Sequence, residues 1–116
     1  MLNLNTPEFV SFLRGLTEIV NTDTAPGCEK ELVVDVRTKF IVVLTKYKDD
    51  GMSGQRSVYA FIAREDFESK TLGKVRAGDI LKPATWKAPA KHARGNLFDA
   101  NPLEKCGQYG LEYLRG

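Results

Sequence analysis

The feature that most constrains the fold is a run of five consecutive apolar residues from Phe40 to Leu44. The run is rich in β-branched and aromatic side chains, which favour an extended strand. Successive side chains of a strand point to opposite faces, so Phe40, Val42 and Leu44 lie on one face and Ile41 and Val43 on the other. A sheet built around this strand therefore has two apolar faces, and another part of the protein must cover each of them.

Three further segments have the composition of strands. Arg56 to Ala63 repeats the apolar pattern after turn-forming residues at 49–54, and we predict that it pairs antiparallel with a strand over residues 39–48. Leu32 to Val36 supplies a strand before this pair, and Gly78-Asp79 is typical of the turn that opens another. The sequence thus predicts an antiparallel sheet of about four strands.

An N-terminal helix is predicted from Pro7 to about Val20. Thr6 is suited to the N-cap position and Pro7 to the first helical position, where its missing N–H is not needed. Apolar residues then recur at spacings of three and four, as in a helix with one buried stripe. The stripe comprises Phe9, Phe12, Leu13, Leu16, Ile19 and Val20. This helix is expected to cover one face of the sheet.

The second face of the sheet needs a different cover, and we expect it from residues 107–114 or from a second subunit, which makes a homodimer possible. Pro89 is predicted to open a short helix through Ala93 that ends at Gly95. The predicted fold is therefore α+β: a single domain over residues 1–116, with an antiparallel sheet of about four strands, the N-terminal helix and a short C-terminal helix.

The stretch from Lys70 to Asn96 is strongly basic. It holds seven Lys or Arg residues and one acidic residue, Asp79, so its local net charge is +6, against +2 for the whole chain. The only His and the only Trp of the protein, His92 and Trp86, lie in the same stretch. Such a charge asymmetry is typical of a surface that meets an anionic partner.

The second half of the chain contains the motifs Arg56-Ser57-Val58-Tyr59-Ala60-Phe61-Ile62, Gly78-Asp79-Ile80-Leu81-Lys82, and Trp86-Lys87-Ala88-Pro89-Ala90-Lys91-His92-Ala93-Arg94-Gly95-Asn96. In this combination the chain resembles a family of small uncharacterised bacteriophage proteins. The first two motifs lie closer together in that family, so Arg64 to Ala77 resembles an insertion. The resemblance implies a phage-encoded protein that acts inside an infected bacterium, and it implies no established activity.

The basic segment combines residue types that bind phosphate groups and bases. Its Lys and Arg side chains supply phosphate donors, Trp86 offers a ring for base stacking, and His92 adds a donor or a second ring. A helix that begins at Pro89 would add the free amides of its first turn. Arg56 is assigned to the same site because the resemblance groups it with these motifs. The predicted ligand-binding residues are Lys82, Trp86, Lys87, Lys91, His92, Arg94 and Arg56.

Several functions are compatible with this segment. The leading hypothesis is a non-enzymatic phage accessory protein that binds nucleic acid or a nucleotide. The first alternative is a protein-interaction factor that docks on a host enzyme, with Trp86 as a hot spot. The second is a small phosphoester-processing enzyme in which Asp79 orients His92 as a base. A purely structural interpretation places Trp86 in the core beneath a solvated, Lys-rich loop.

Composition and motifs also bear on compartment and cofactors. The apolar runs are far shorter than the roughly 20 residues that a membrane span requires, and the N-terminus has no features of a secretory signal. We therefore expect a cytoplasmic protein, in the host cell if it is phage-encoded, with no membrane partner. No metal-ligand cluster, phosphate-binding glycine loop or nucleophile motif is present, so the sequence predicts no cofactor, no metal and no catalytic residue.

Overall fold

The computed structural model describes residues 1–48 and 56–111, which form one helix and seven strands. In chain order these are α1 (Pro7–Val20), β1 (Lys30–Val36), β2 (Phe40–Tyr47), β3 (Ser57–Ala63), β4 (Phe67–Ser69), β5 (Gly73–Val75), β6 (Asp79–Pro83) and β7 (Pro89–Asn96). Five strands form an antiparallel sheet in the order β1-β2-β3-β6-β7, and β4 and β5 form a separate hairpin. This part of the chain contains no helix long and apolar enough to cross a membrane.

The predicted α+β fold with about four strands and a short C-terminal helix is wrong, because the described protein is mostly β. Pro89 opens strand β7 instead of a helix, and β7 pairs with β6 through Pro83 and Pro89 at one end and Asp79 and Asn96 at the other. A proline is tolerated here because β7 lies at the edge of the sheet, where every second N–H points away from the neighbouring strand and makes no ladder bond. Strands β4 and β5 have three residues each, which is too short for a recognisable alternation.

Other predicted elements are confirmed. The helix begins at Pro7 with Thr6 in the N-cap position, although the Thr6 hydroxyl accepts a 3.0 Å hydrogen bond from the N–H of Asn3 instead of capping the helix. Strands β2 and β3 pair antiparallel, β1 precedes them, and Gly78 leads into β6. The predicted turn at 49–54 lies outside the described residues.

Helix α1 covers one face of the sheet, as predicted from its apolar stripe. Phe9, Phe12 and Leu16 are fully buried against side chains of the central strands, among them Ile41 and Ile62. Removing a large apolar side chain from water contributes about 1.5–3 kcal/mol, so these few contacts hold the helix on the sheet. We call this side of the sheet the helix face.

The second apolar face is covered by the β4–β5 hairpin. Val42, Phe61 and Leu81 form a separate buried cluster with Val75 of β5, and Phe67 of β4 packs against it. The prediction that this cover must come from residues 107–114 or from a second subunit is therefore wrong. The segment that resembles an insertion supplies the cover, and a second subunit is not required for it.

The C-terminal segment lies instead on the helix face. Leu111 is 3% exposed and packs in the same cluster as α1. A backbone bridge between Cys106 and Leu111 closes the turn that precedes it. Residues 112–114 of the predicted covering segment lie outside the described part of the chain.

Candidate functional site

The base of the β6–β7 hairpin is fixed by a buried polar network. The side-chain amide of Asn96 donates hydrogen bonds to Asp79 Oδ1 at 2.9 Å and to the carbonyl of Ala77 at 3.0 Å. Asp79 Oδ2 accepts a 2.9 Å hydrogen bond from the N–H of Arg76. Both carboxylate oxygens of Asp79 are thus used in holding the hairpin to the sheet. The hypothesis that Asp79 orients His92 as a catalytic base loses its geometric support.

Strand β7 bulges outward in its basic half. Residues 90–92 of β7 lie opposite the single residue Lys82 of β6. His92 has a φ of 74°, in the left-handed region that a β-bulge uses to redirect the chain. The alternation of side chains is interrupted there, and Lys91, His92 and Ala93 are all exposed. The bulge therefore presents Lys91 and His92 to solvent from neighbouring positions. The predicted anion site at a helix N-terminus does not form, since this segment is a strand.

Two of the predicted phosphate donors hold the protein together. One guanidinium nitrogen of Arg94, Nη1, donates hydrogen bonds to the carbonyls of Lys91 at 3.1 Å and His92 at 2.7 Å, and so supports the bulge. The ammonium of Lys82 donates a 2.8 Å hydrogen bond to the carbonyl of Leu111, and so ties β6 to the C-terminal turn. Hydrogen bonds of charged groups contribute about 1.5–3 kcal/mol each. This range suits the part-buried Lys82 bond, whereas the Arg94 bonds are exposed to solvent and contribute less.

The tip of the hairpin is an ordered turn that displays Trp86. The hydroxyl of Thr85 accepts hydrogen bonds from the N–H groups of Lys87 at 3.2 Å and Ala88 at 3.1 Å. The carbonyl of Ala88 accepts two more, from the N–H groups of Ala84 and Thr85. Trp86 is 67% exposed, so the interpretation of Trp86 as a core anchor is wrong. The ammonium of Lys87 lies 5.3 Å from the centre of the indole ring, so a cation and an aromatic surface sit together at the tip.

Arg56 lies at the same end of the sheet as the hairpin tip. It precedes the first residue of β3, and β3 runs antiparallel to β6, so the start of β3 and the end of β6 meet at one end. The Arg56 side chain is exposed. The sequence-predicted residues at this end are therefore Arg56, Trp86 and Lys87, with Lys91 and His92 further along the outer strand.

Sequence reasoning missed a second cation–aromatic group at this end. Lys30 and Tyr47 face each other across β1 and β2, and the Lys30 ammonium lies 5.6 Å from the centre of the Tyr47 ring. The same ammonium lies 5.1 Å from the centre of the Tyr109 ring. Tyr47 is 48% exposed and Tyr109 is 85% exposed. These three residues are far apart along the chain and belong to no motif, so only the fold brings them together. We call them the tyrosine–lysine cluster.

Tyr109 is held at this position by an anchored turn. The Tyr59 hydroxyl on β3 donates a 2.6 Å hydrogen bond to the carbonyl of Gly107, and Lys82 on β6 binds Leu111. The amide of Gln108 donates to the carbonyl of Thr22, beyond the end of α1. Burial raises the pKa of the Tyr59 phenol well above its usual range, and the neighbouring Cys106 adds to the shift. Tyr59 therefore stays a neutral donor that supports the turn.

A cleft at the opposite end of the sheet is lined by acidic residues. This open cleft has a volume of about 860 Å³ and lies between the first turns of α1 and residues 97–104. Glu8, Asp99 and Glu104 are among its lining residues, and none of the described residues that line it is Lys, Arg or His. Because like charges repel, this cleft is not suited to an anionic ligand.

A family model matches most of the chain. Residues 11–110 match the model of a family of unknown function, DUF7717. The matched range runs from within α1 to the turn that holds Tyr109, and so contains the hairpin and most of both apolar clusters. No curated protein and no solved structure matches the chain.

Proposed function

The chain belongs to DUF7717, and we propose that it binds a phosphate-bearing partner, nucleic acid or nucleotide, through the β6–β7 hairpin. The single observation that carries this proposal is the exposed Trp86 on an ordered tip, beside the ammonium of Lys87. In keeping with the resemblance of its motifs, we propose that the protein is a phage accessory factor that acts in the host cytoplasm.

The chemistry of the hairpin suits a base with its phosphate. The indole ring of Trp86 offers a face for base stacking, which contributes about 1–3 kcal/mol per base in known cases. Lys87 and the exposed Lys91 donate hydrogen bonds to phosphate oxygens, and His92 stands beside Lys91 on the bulge. Because the tip is already ordered by Thr85, little conformational entropy is lost when a ligand binds.

Binding of a fluorescent oligothymidylate at low salt, followed by anisotropy, tests this function. We expect the parent protein to bind and a Lys87→Glu/Lys91→Glu variant to lose most of its affinity, since two phosphate donors become repulsive. Lys70→Glu/Lys74→Glu is the matched control, because it changes the net charge equally at two exposed lysines of the β4–β5 hairpin. An equal loss of affinity in both variants would mean that only the net charge of the protein matters, and would overturn the proposal.

Salt dependence separates a polymer from a single nucleotide. Each phosphate neutralised on a single strand contributes about −0.7 to the slope of log affinity against log salt concentration, so three or four contacts predict a slope of about −2 to −3. Lys87→Ala is expected to reduce the slope by about 0.7 for an oligonucleotide. A free nucleotide is expected to show only a shallow dependence.

Docking on a host enzyme is the second candidate, and the exposure of Trp86 favours it as well, because such residues are frequent hot spots of protein interfaces. It predicts that the parent binds no oligonucleotide or nucleotide at low salt, and that a Trp86→Ala variant no longer captures a defined host protein that the parent retains.

A further inference from the structure

The tyrosine–lysine cluster has the composition of a base-stacking site with a phosphate donor. Tyr109 is 85% exposed, so most of its ring surface is accessible, and the turn that carries it is anchored to β3 and β6. Tyr47 contributes a second exposed ring, and the Lys30 ammonium lies within 6 Å of both ring centres. Exposed aromatic rings beside a cation are the combination by which proteins bind unpaired bases along a charged backbone.

The position of this cluster relative to the hairpin sets the length of the ligand. The cluster lies between β1 and β2, and the hairpin lies between β6 and β7, at the same end of the sheet. Three strand spacings of about 4.8 Å separate the two across the sheet, and because the sheet twists they lie at least about 14 Å apart. A strand of duplex DNA advances by about 3.4 Å per nucleotide, so about four such steps, or about five nucleotides, span this distance, and an extended single strand spans it with fewer. A single nucleotide reaches one of the two contacts only.

We infer that the partner is a single-stranded nucleic acid of at least about four nucleotides, with one base on Trp86 and another on the tyrosine–lysine cluster. This inference rests on the proposed function of the hairpin. Single strands are specified because the faces of paired bases are hidden in the stack, whereas unpaired bases are open to aromatic side chains. Arg56 immediately precedes β3, which lies between the two contacts in the sheet. The phosphates between the two bound bases would pass this residue.

A length series of thymidine oligonucleotides, from the mononucleotide to a 12-mer, tests the inference by competition against a labelled 12-mer. For the parent protein we expect affinity to rise steeply up to about four to six nucleotides and to level off beyond that length. A duplex of the same length is expected to compete poorly. Affinity that does not depend on length, or a duplex that competes as well as the single strand, would overturn the inference.

Two aromatic substitutions then separate the contacts. Tyr109→Ala is expected to lower the affinity for the 12-mer by roughly 5- to 150-fold, the range for one lost stacking contact. Its affinity for the mononucleotide is expected to stay unchanged. Trp86→Ala is expected to lower the affinity for both the 12-mer and the mononucleotide. Phe98→Ala is the matched control, since Phe98 is an exposed aromatic residue, 55% accessible, at the opposite end of the sheet.

These variants separate a failure of the second contact, at the tyrosine–lysine cluster, from a failure of the proposed hairpin function. If Trp86→Ala weakens binding and Tyr109→Ala does not, the hairpin function stands and the second contact is rejected. If the parent binds no oligonucleotide and no nucleotide, the proposed function itself fails. Thermal unfolding of each variant, together with Tyr109→Phe, which keeps the ring and is expected to keep the affinity, separates a lost contact from a lost fold.

Discussion

The side-chain amide of Asn96 and the carboxylate of Asp79 form a 2.9 Å hydrogen bond in the interior, where the two residues are 7% and 8% exposed. The bond joins the first residue of β6 to the last residue of β7. It gives a structural reason for the Gly78-Asp79 and Gly95-Asn96 parts of the two sequence motifs. These residues hold the hairpin in place, and the residues between them form the proposed binding surface.

Asn96→Ala is expected to lower the free energy of unfolding by about 2–4 kcal/mol. The substitution removes three hydrogen bonds, to Asp79, to the Ala77 carbonyl and from the Phe98 N–H, and it leaves buried partners unsatisfied. Urea unfolding measures the loss. The Asp79→Ala/Asn96→Ala double variant should lose less than the sum of the two single variants, because the residues share a contact. Strict additivity would contradict a direct interaction.

Gly78→Ala is expected to be clearly more destabilising than Gly73→Ala. Both glycines have positive φ, 88° and 72°, so both substitutions incur the left-handed penalty of about 1–2 kcal/mol. A Cβ on Gly78 would also stand 2.8 Å from Asn96 Oδ1 and from the Phe98 ring, whereas no atom of the described residues beyond its chain neighbours lies within 4 Å of a Cβ on Gly73. Thermal unfolding of the two variants isolates the steric part. Equal losses of stability would mean that Asn96 and Phe98 move aside at no energetic cost, and would contradict the prediction.

Tyr59→Phe is expected to change how the free energy of unfolding depends on pH above about pH 10. Burial, with Cys106 nearby, raises the pKa of Tyr59 in the folded state, so the unfolded chain loses its proton first, at the usual pKa of about 10. The stabilisation by the neutral phenol is therefore complete below pH 10 and declines above it, by up to about 1.4 kcal/mol per pH unit. Urea unfolding between pH 8 and 11 should show the parent's advantage over Tyr59→Phe shrinking above pH 10. A constant difference across this range would contradict the assignment.

Phe67→Ala tests whether the β4–β5 hairpin covers the second face. The Phe67 ring meets the Phe40 ring edge to face, with centres 5.6 Å apart, above the buried cluster. Its loss is expected to destabilise the protein by about 1–3 kcal/mol, less than for a fully buried ring because Phe67 is only partly buried. Binding of a hydrophobic dye to the native protein should increase. The exposed Phe98 offers a control, for which Phe98→Ala should change stability by less than about 1 kcal/mol.

Sequence reasoning succeeded where the local pattern and the final environment agree. The stripe from Phe9 to Val20 predicts a helix, and the apolar residues from Phe40 to Leu44 predict a strand covered on both faces. It failed at Pro89, because a proline is equally suited to the first turn of a helix and to the start of an edge strand, and pairing with β6 decides between them.

Some features of the protein and its candidate site follow from the sequence, and others only from the fold. The sequence by itself determined the strands around Phe40, the N-terminal helix, and the concentration of positive charge around Trp86 and Lys87, since these depend on the order and spacing of neighbouring residues. Only the tertiary structure decided that Arg94 and Lys82 brace the backbone, that residues 67–75 cover the second face, and that Tyr109 meets Lys30. Those outcomes depend on contacts between distant segments, whose geometry follows from how the sheet is ordered and is not encoded in any local pattern.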